Sequence, residues 1–303
     1  MLSAHYQSNK FNDMKEILEV RINYDYSNLL FDADEGKNLG TSVKVVELSK
    51  EDPRYQQVPI FEEQVRKKYN RCFFFGWQIK RKYSKKELNA STLLHLKIKT
   101  VFEPTGEECG TLFEETAACE ICGANRKQVS PLILKKGTIP KRDVAITIGG
   151  EVVVSENFAN AVRQRNLKGL KLNPINVAKY YQLTADATVE LSHHTIAGVN
   201  PWDHSESGEG VEFKVPGGYS FKFEKEIYKC PKGHTIGLNL LSEPYILNDQ
   251  SIANYDFLAS KQKIGVKRGL LRPEPIYFCS QAFRNMVEEE KLSGFTFEVA
   301  HVE

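Results

Sequence analysis

Residues 151–175 read EVVVSENFANAVRQRNLKGLKLNPI, and residues 274–301 read EPIYFCSQAFRNMVEEEKLSGFTFEVAH. Offset by 125 positions without a gap, they place Ser155 against Ser280, Phe158 against Phe283, Val162 against Val287, Leu167 against Leu292 and Gly169 against Gly294. Each opens on a short apolar run, Val152–Val154 or Ile276–Cys279, that reads as a strand. The serine follows where a helix needs an N-cap, its hydroxyl accepting a free backbone N–H. Phe158, Ala161 and Val162 then recur at the i, i+3, i+4 spacing of one helix face, as do Phe283, Met286 and Val287. Gly169 and Gly294 stand where a left-handed helix exit is needed, and Leu170–Leu172 and Phe295–Phe297 alternate as short strands. The expectation is an α+β chain of mixed sheets containing a duplicated strand–helix–strand unit. Two unrelated capped helices are the plainer alternative.

A turn rich in metal-ligating residues precedes each of these stretches. The first is Cys119-Glu-Ile-Cys122-Gly123, where two thiolates can share one ion and glycine permits the tight turn. The second is Cys230-Pro231-Lys232-Gly233-His234, between strand-like Tyr219–Tyr228 and Ile236–Leu241. A lone Cys-x-x-Cys also suits a redox pair, but that site follows a buried strand, and Glu114 to Ala118 is no such strand. Cys119, Cys122, Cys230 and His234 make the Cys3His set of closed structural zinc sites. Four protein ligands fill a tetrahedron, so the expectation is one structural Zn2+ per chain, bridging the two halves. Cys109 is a substitute ligand ten residues upstream, and buried cysteines with a capping histidine are the plainer alternative.

The chain has 303 residues, 41% apolar and 26% charged, which is ordinary globular composition. Its formal net charge of +2 creates no global field for nucleic acid or membrane. Six cysteines are too few for a disulfide scaffold; Cys72 and Cys279 sit among apolar neighbours and read as small core residues. Met1 to Lys15 lacks a signal layout, and the longest apolar run, Cys72 to Trp77, is far short of a membrane span. These features lead us to expect a cytoplasmic protein. Three segments are expected: an N-terminal α+β region over 1–104, then 105–175 and 176–303, each with one knuckle and one strand–helix–strand unit. Within the first, Lys15 to Asn23 leads into an extended stretch, Phe61–Tyr69 reads as a helix, and Cys72–Tyr83 and Thr92–Val101 as strands. Leu94, Leu96 and Ile98 fall on one face of the last.

Arg66 to Lys86 carries nine Lys or Arg and no acid, interleaved with Tyr69, Phe73, Phe74, Phe75, Trp77 and Tyr83. Such a mixture can grip single-stranded nucleic acid through phosphate pairing and base stacking. The plainer expectation puts the aromatics on a core and the lysines in water. His193 and His194 are adjacent, and strand geometry would point their rings to opposite faces; with His204 they read as surface loop. Asp203–His204 lacks a signposted nucleophile, and Gly208-Glu-Gly210 lacks the third glycine of a dinucleotide loop. No catalytic residue is nominated.

Over roughly 105–303, Cys119–Gly123 and Cys230–His234, each followed by the Ser-capped helix and glycine exit, resemble the bacterial double-CXXCG motif proteins. These in turn resemble immunity proteins of polymorphic-toxin systems. Cys119-Glu-Ile-Cys122-Gly123 fits the first motif, while Gly233 stands where the second motif has its second cysteine, and His234 follows. The resemblance implies a non-enzymatic interaction protein whose partner is a cognate toxin. A single-stranded nucleic-acid-binding module using 66–86 is the second function expected from the sequence, and an uncharacterised enzyme the third.

Overall fold

Alternating apolar side chains make a strand of Lys15–Asn23 (β1), where Leu18, Val20 and Ile22 are buried. The extended stretch expected after this segment therefore begins within it. The computed structural model describes residues 14–116, 118–119, 126–198, 201–202, 212–214, 220–222, 236–237, 239–248, 252–264 and 274–303. The chain divides into two compact units, Met1–Ala90 and Ser91–Glu303.

In the first unit β1 is followed by Lys37–Leu39 (β2), Val43–Ser49 (β3), helix α1 (Val58–Tyr69), Phe74–Lys82 (β4) and the short helix α2 (Lys85–Ala90). The strands form one sheet in the order β2-β3-β1-β4, every pairing antiparallel. Proline in the first turn starts α1, and Asn70, left-handed at φ 53°, ends it. The Glu62 carboxylate of α1 accepts the backbone N–H groups of Phe73 and Phe74 at 2.8 and 3.1 Å, tying the helix to β4. Val58, Val65 and Phe73 close the core over Val20, Ile22, Val46 and Leu48.

The second unit opens with Leu93–Ile98 (β5) and Val101–Phe102 (β6), then Phe113–Glu114 (β7) and Lys127–Gln128 (β8). Val144–Thr147 (β9), Val152–Ser155 (β10), helix α3 (Glu156–Arg165) and Leu170–Pro174 (β11) follow. After Tyr180–Ala185 (β12) and Thr188–Val189 (β13) come six short strands: Ala197–Gly198 (β14), Glu212–Lys214 (β15), Ser220–Lys222 (β16), Ile236–Gly237 (β17), Asn239–Leu240 (β18) and Tyr245–Ile246 (β19). Phe257–Ile264 (β20), Glu274–Cys279 (β21), helix α4 (Gln281–Glu289) and Phe295–Val302 (β22) complete it. β5 pairs with β21 and β22, so the unit starts at Ser91 and the expected boundary at 104 moves back. Residues on both sides of 175, the second expected boundary, share one sheet through β11 and β12.

Two sheets carry this unit, ordered β11-β12-β10-β9-β6 and β22-β5-β21-β20-β13, the latter extended by β19 beyond β22. Five strands of each follow the same order, and several of their paired residues fall in matching register. Leu172 opposes Leu183 and Val152 opposes Leu183 in one, while Phe297 opposes Leu96 and Tyr277 opposes Leu96 in the other. Val152 faces Ile146 as Tyr277 faces Ala259. The parallel pairs Val101–Ile146 and Thr188–Ala259 also match. In chain order, each run (β5, β6, β9, β10, α3, β11, and β12, β13, β20, β21, α4, β22) sends its first strand into the other run's sheet.

Both helices are capped alike. Ser155 accepts from the N–H of Phe158 and Ser280 from that of Phe283. Both phenylalanines are fully buried, with ring centroids 5.9 Å apart. Phe158 also stacks on Phe295, and Phe283 on Phe257, so the helices pack on the facing sides of the two sheets. Phe102, Leu132, Leu134, Ala145 and Val153 cluster on the opposite side of the first sheet. Leu93, Val189, Leu191, Ile246 and Phe278 do so on the second. Both sides of β5 are covered, unlike the single apolar face expected for it.

Two aspartates join the runs. Asp143 Oδ1 accepts from the Ser155 hydroxyl at 2.8 Å, and its Oδ2 accepts from the Ser293 amide at 2.7 Å and the Ser293 hydroxyl at 2.8 Å. Asp256 Oδ1 accepts from the Ser280 hydroxyl at 2.7 Å, and its Oδ2 from the Lys168 amide at 2.9 Å. Gly294 and Gly169, next in the chain, have φ of +100° and +89°, and a Cβ there would strike the carbonyl oxygens of Val144 and Phe257. Burial raises the Asp143 carboxyl, but the amide and hydroxyl donors outweigh it and the net shift is downward. Asp143→Ala and Asp256→Ala should each cost about 2–4 kcal/mol, the loss of two or three charge-assisted bonds that do not add fully. Urea unfolding of the two variants checks this; a loss below 1 kcal/mol in either would contradict the clamp there.

Candidate functional site

Cys119 is buried; Cys122, Cys230 and His234 lie outside the described residues. In the chain the first knuckle sequence falls between β7 and β8, which pair Phe113 with Gln128 and Glu114 with Lys127. Arg126, the first described residue after Cys122, holds the stem: it lies 4.0 Å over the Phe113 ring and pairs with Glu107 and Glu115. The Gln128 and Gln182 amides exchange hydrogen bonds of 3.0 and 2.7 Å, anchoring the hairpin to β12. Cys109 is half-buried at the end of a 3-10 turn. Cys279 is a core residue whose thiol burial pushes far up, and Cys72 is only half-buried, beside fully buried Phe73.

The knuckles occupy corresponding segments, 103–143 between β6 and β9 and 190–256 between β13 and β20. Their described flanks converge on one end of the unit. β17 begins two residues after His234 and runs parallel to β20, Ile236 opposite Lys263. Across β20, Glu274 packs so closely on Gly150 that a Cβ there would collide with its carboxylate. Cβ atoms at Gly149 and Gly106 would both meet the buried Glu151 carboxylate. The neighbour of Gly106, Glu107, binds Arg126 at 2.8 Å.

In the basic stretch, Arg66 pairs with Glu62, Lys67 with Glu63, Lys80 with Glu19 and Glu47, and Arg81 with Glu16. The lysines are expected in water; Arg81, between Lys80 and Lys82, has a side chain only 2% exposed. Phe75, by contrast, is 56% exposed while Phe73 is buried. Ile79 and Arg81 share the covered face of β4, and Phe75 leaves that alternation because it is the extra residue where the β1–β4 register shifts, Arg21 opposing Gly76 and Ile22 opposing Phe74.

One charged set breaks the correspondence between the sheets. His95, Lys97 and Glu298 stand where the other sheet has Gln182, Thr184 and Asn173. Lys97 Nζ donates to Glu298 Oε1 at 2.8 Å, as Asn173 Nδ2 donates to Thr184 Oγ1 at 3.1 Å. His95 Nδ1 lies 3.5 Å from Glu298 Oε2. His95 and Lys97 also line a groove of about 460 Å³ with Ile98, Ile146 and Tyr277. Burial works to raise the Glu298 carboxyl, but His95 and Lys97 outweigh it and hold it down at about 2. A depressed carboxyl stabilises the fold above its ordinary value of 4.5, and that stabilisation is lost as pH falls toward 2. Glu298→Gln should therefore be less stable than the parent by about 3 kcal/mol at neutral pH, with the gap closing in acid. Thermal melts of both proteins from pH 7 to pH 2.5 check this; a gap independent of pH would contradict the ionised pair.

His193 and His194 lie in a turn, so the opposite-facing geometry of a strand does not apply, and their rings stand 4.0 Å apart. Glu303 completes the group: the two imidazoles and its carboxylate each offer a ligand atom, all within 4.8 Å of one another. Nothing local in the sequence signals it, because the carboxylate comes from 109 residues downstream. His204 lies outside the described residues. No helix among the described residues is long and apolar enough to cross a membrane. No protein-family model matches the chain, and no curated protein matches it.

Proposed function

We propose that this chain is a non-enzymatic protein-interaction protein of the immunity kind, acting on a cognate bacterial toxin. Its second unit is a duplicated strand–helix–strand framework stapled by one structural zinc on Cys119, Cys122, Cys230 and His234. The observation that carries this reading is the placement of the knuckles in corresponding segments, with their described flanks, Arg126 and β17, at the same end. A closed Cys3His site supplies rigidity rather than chemistry. It would fix two segments that lie outside the regular sheets as one surface. The nucleic-acid reading loses ground because Arg66, Lys67, Lys80 and Arg81 already have carboxylate partners.

Purified protein should contain about one zinc per chain. Cys122→Ser and His234→Ala should each lower zinc content and melting temperature together, since metal affinity is folding free energy in such sites. Elemental analysis finding no zinc in protein never exposed to chelator defeats the assignment, as does either variant keeping both. Co-expression with the product of the neighbouring gene should recover a complex burying about 800 Å² on this side.

Single-stranded DNA or RNA should bind no tighter than about 10⁻⁶–10⁻⁴ M near physiological salt. Fluorescence anisotropy measures this directly. Nanomolar affinity that collapses in the Lys80→Ala, Arg81→Ala, Lys82→Ala triple variant would replace the interaction reading with the nucleic-acid one.

A further inference from the structure

The turn at 192–195 is built from both sides. The Ser192 amide donates to the Tyr245 carbonyl at 2.8 Å, and the Thr195 amide to the Ser192 carbonyl at 3.0 Å. Thr195 Oγ1 donates to the Tyr245 carbonyl and accepts from the Tyr245 amide, both at 2.8 Å. Ser192 and Thr195 are buried, while the two histidines between them are exposed. Ser192 Oγ accepts from the His194 amide at 3.2 Å, which curls the backbone so that consecutive rings lie on one side.

Glu303 is held as firmly. Its amide donates to the Ile246 carbonyl at 3.0 Å, and its carbonyl accepts from Asn248 at 2.6 Å. Its carboxylate accepts from the Ser192 hydroxyl and lies 2.8 and 2.9 Å from His194 Nδ1. Hydrogen bonds from Ser192 and His194 hold the carboxyl below its ordinary value. Tyr245 backs the group, edge-on to His194 at 5.8 Å and stacked on His301 at 4.5 Å. His301 has its own carboxylate, Glu243, at 2.9 Å.

We infer that His193, His194 and Glu303 form a surface site for a divalent first-row transition-metal ion, separate from the cysteine knuckles. Two imidazole nitrogens and one carboxylate oxygen favour Zn2+, Co2+, Ni2+ or Cu2+ over Ca2+ or Mg2+, which prefer all-oxygen cages. With metal–ligand bonds of about 2.0–2.2 Å, the edges of an octahedron or tetrahedron run from about 2.8 to about 3.6 Å. The present His194–Glu303 distances lie at the short end of that range. Because the three side chains are exposed, water fills the remaining positions. A bound ion joins the end of β22 to the turn after β13, a second cross-link independent of the first.

Cobalt distinguishes this site from the knuckles, because thiolate ligation adds an intense ligand-to-metal charge-transfer band that nitrogen and oxygen ligands lack. Untagged full-length protein, purified with its native metal content, is titrated with Co2+ alone and followed by visible absorption and equilibrium dialysis. The expected result is about one added equivalent with d–d bands and no thiolate charge transfer. That equivalent should vanish in His193→Ala/His194→Ala, weaken at least tenfold in Glu303→Gln, and persist in Cys122→Ser. No saturable uptake by the parent, or uptake unchanged in the double-histidine variant, overturns the inference. So does a cobalt signal that carries thiolate charge transfer and disappears in Cys122→Ser. Melting temperatures of His193→Ala/His194→Ala and Glu303→Gln that match the parent's before cobalt is added, each protein keeping its native metal, exclude misfolding as the cause of any loss.

Discussion

Asp143 and Asp256 each present a carboxylate to two places at once: the hydroxyl of a helix-capping serine in their own run and a backbone amide at the helix exit of the other. A carboxylate accepts on both oxygens and donates on neither, so it suits a point where a hydroxyl and an amide converge from opposite runs. The glycine that follows each amide is left-handed because the neighbouring strand's carbonyl leaves no room for a Cβ. The phenylalanine core, the strand registers and the helix directions all assume that these two junctions are closed. An asparagine in either place would turn one acceptor into a donor facing donors.

The Ser-capped helices and the glycine exits could be read from the sequence because they are local grammar: a cap hydroxyl, an i, i+3, i+4 face and a positive-φ exit all act within a few residues. The exchange of first strands could not. Residues 93–102 and 180–189 hold equivalent places, yet of their residues only Leu96 and Leu183 coincide; pairing depends on partners as distant as Ala300 is from Leu93. The burial of Arg81 is hidden from the sequence for a related reason. Its acid, Glu16, is 65 residues upstream, and without that partner a buried guanidinium is an implausible guess. The histidine pair reads as surface loop and does lie exposed in a turn; what strand alternation could not foresee is that the Ser192 turn brings both rings together. The knuckle sequences are visible as motifs, Cys119-Glu-Ile-Cys122-Gly123 most clearly, while only Cys119 of the four proposed ligands falls among the described residues.

The His95, Lys97 and Glu298 set shows what two matched sheets reveal that one cannot. Gln182, Thr184 and Asn173 fill the same register with neutral groups, so nothing in the architecture requires charge there. Buried ion pairs are seldom the most stabilising choice for a site. Their presence in one sheet alone makes the two faces chemically distinct, the charged one opening on the groove beside Ile146 and Tyr277.

The strand exchange also governs how the chain is made. β5 at residues 93–98 finds its neighbours only in β21 and β22, the latter ending at 302. Synthesis at about 5–20 residues per second leaves that strand without its sheet for about 10–40 s. During that interval its apolar edge is open to any other extended segment. The first sheet does not share the delay, because β12, its last strand to be made, ends at residue 185. One sheet therefore has all its strands while the earliest strand of the other still waits for the last, and the long gap falls on one side of the exchange alone.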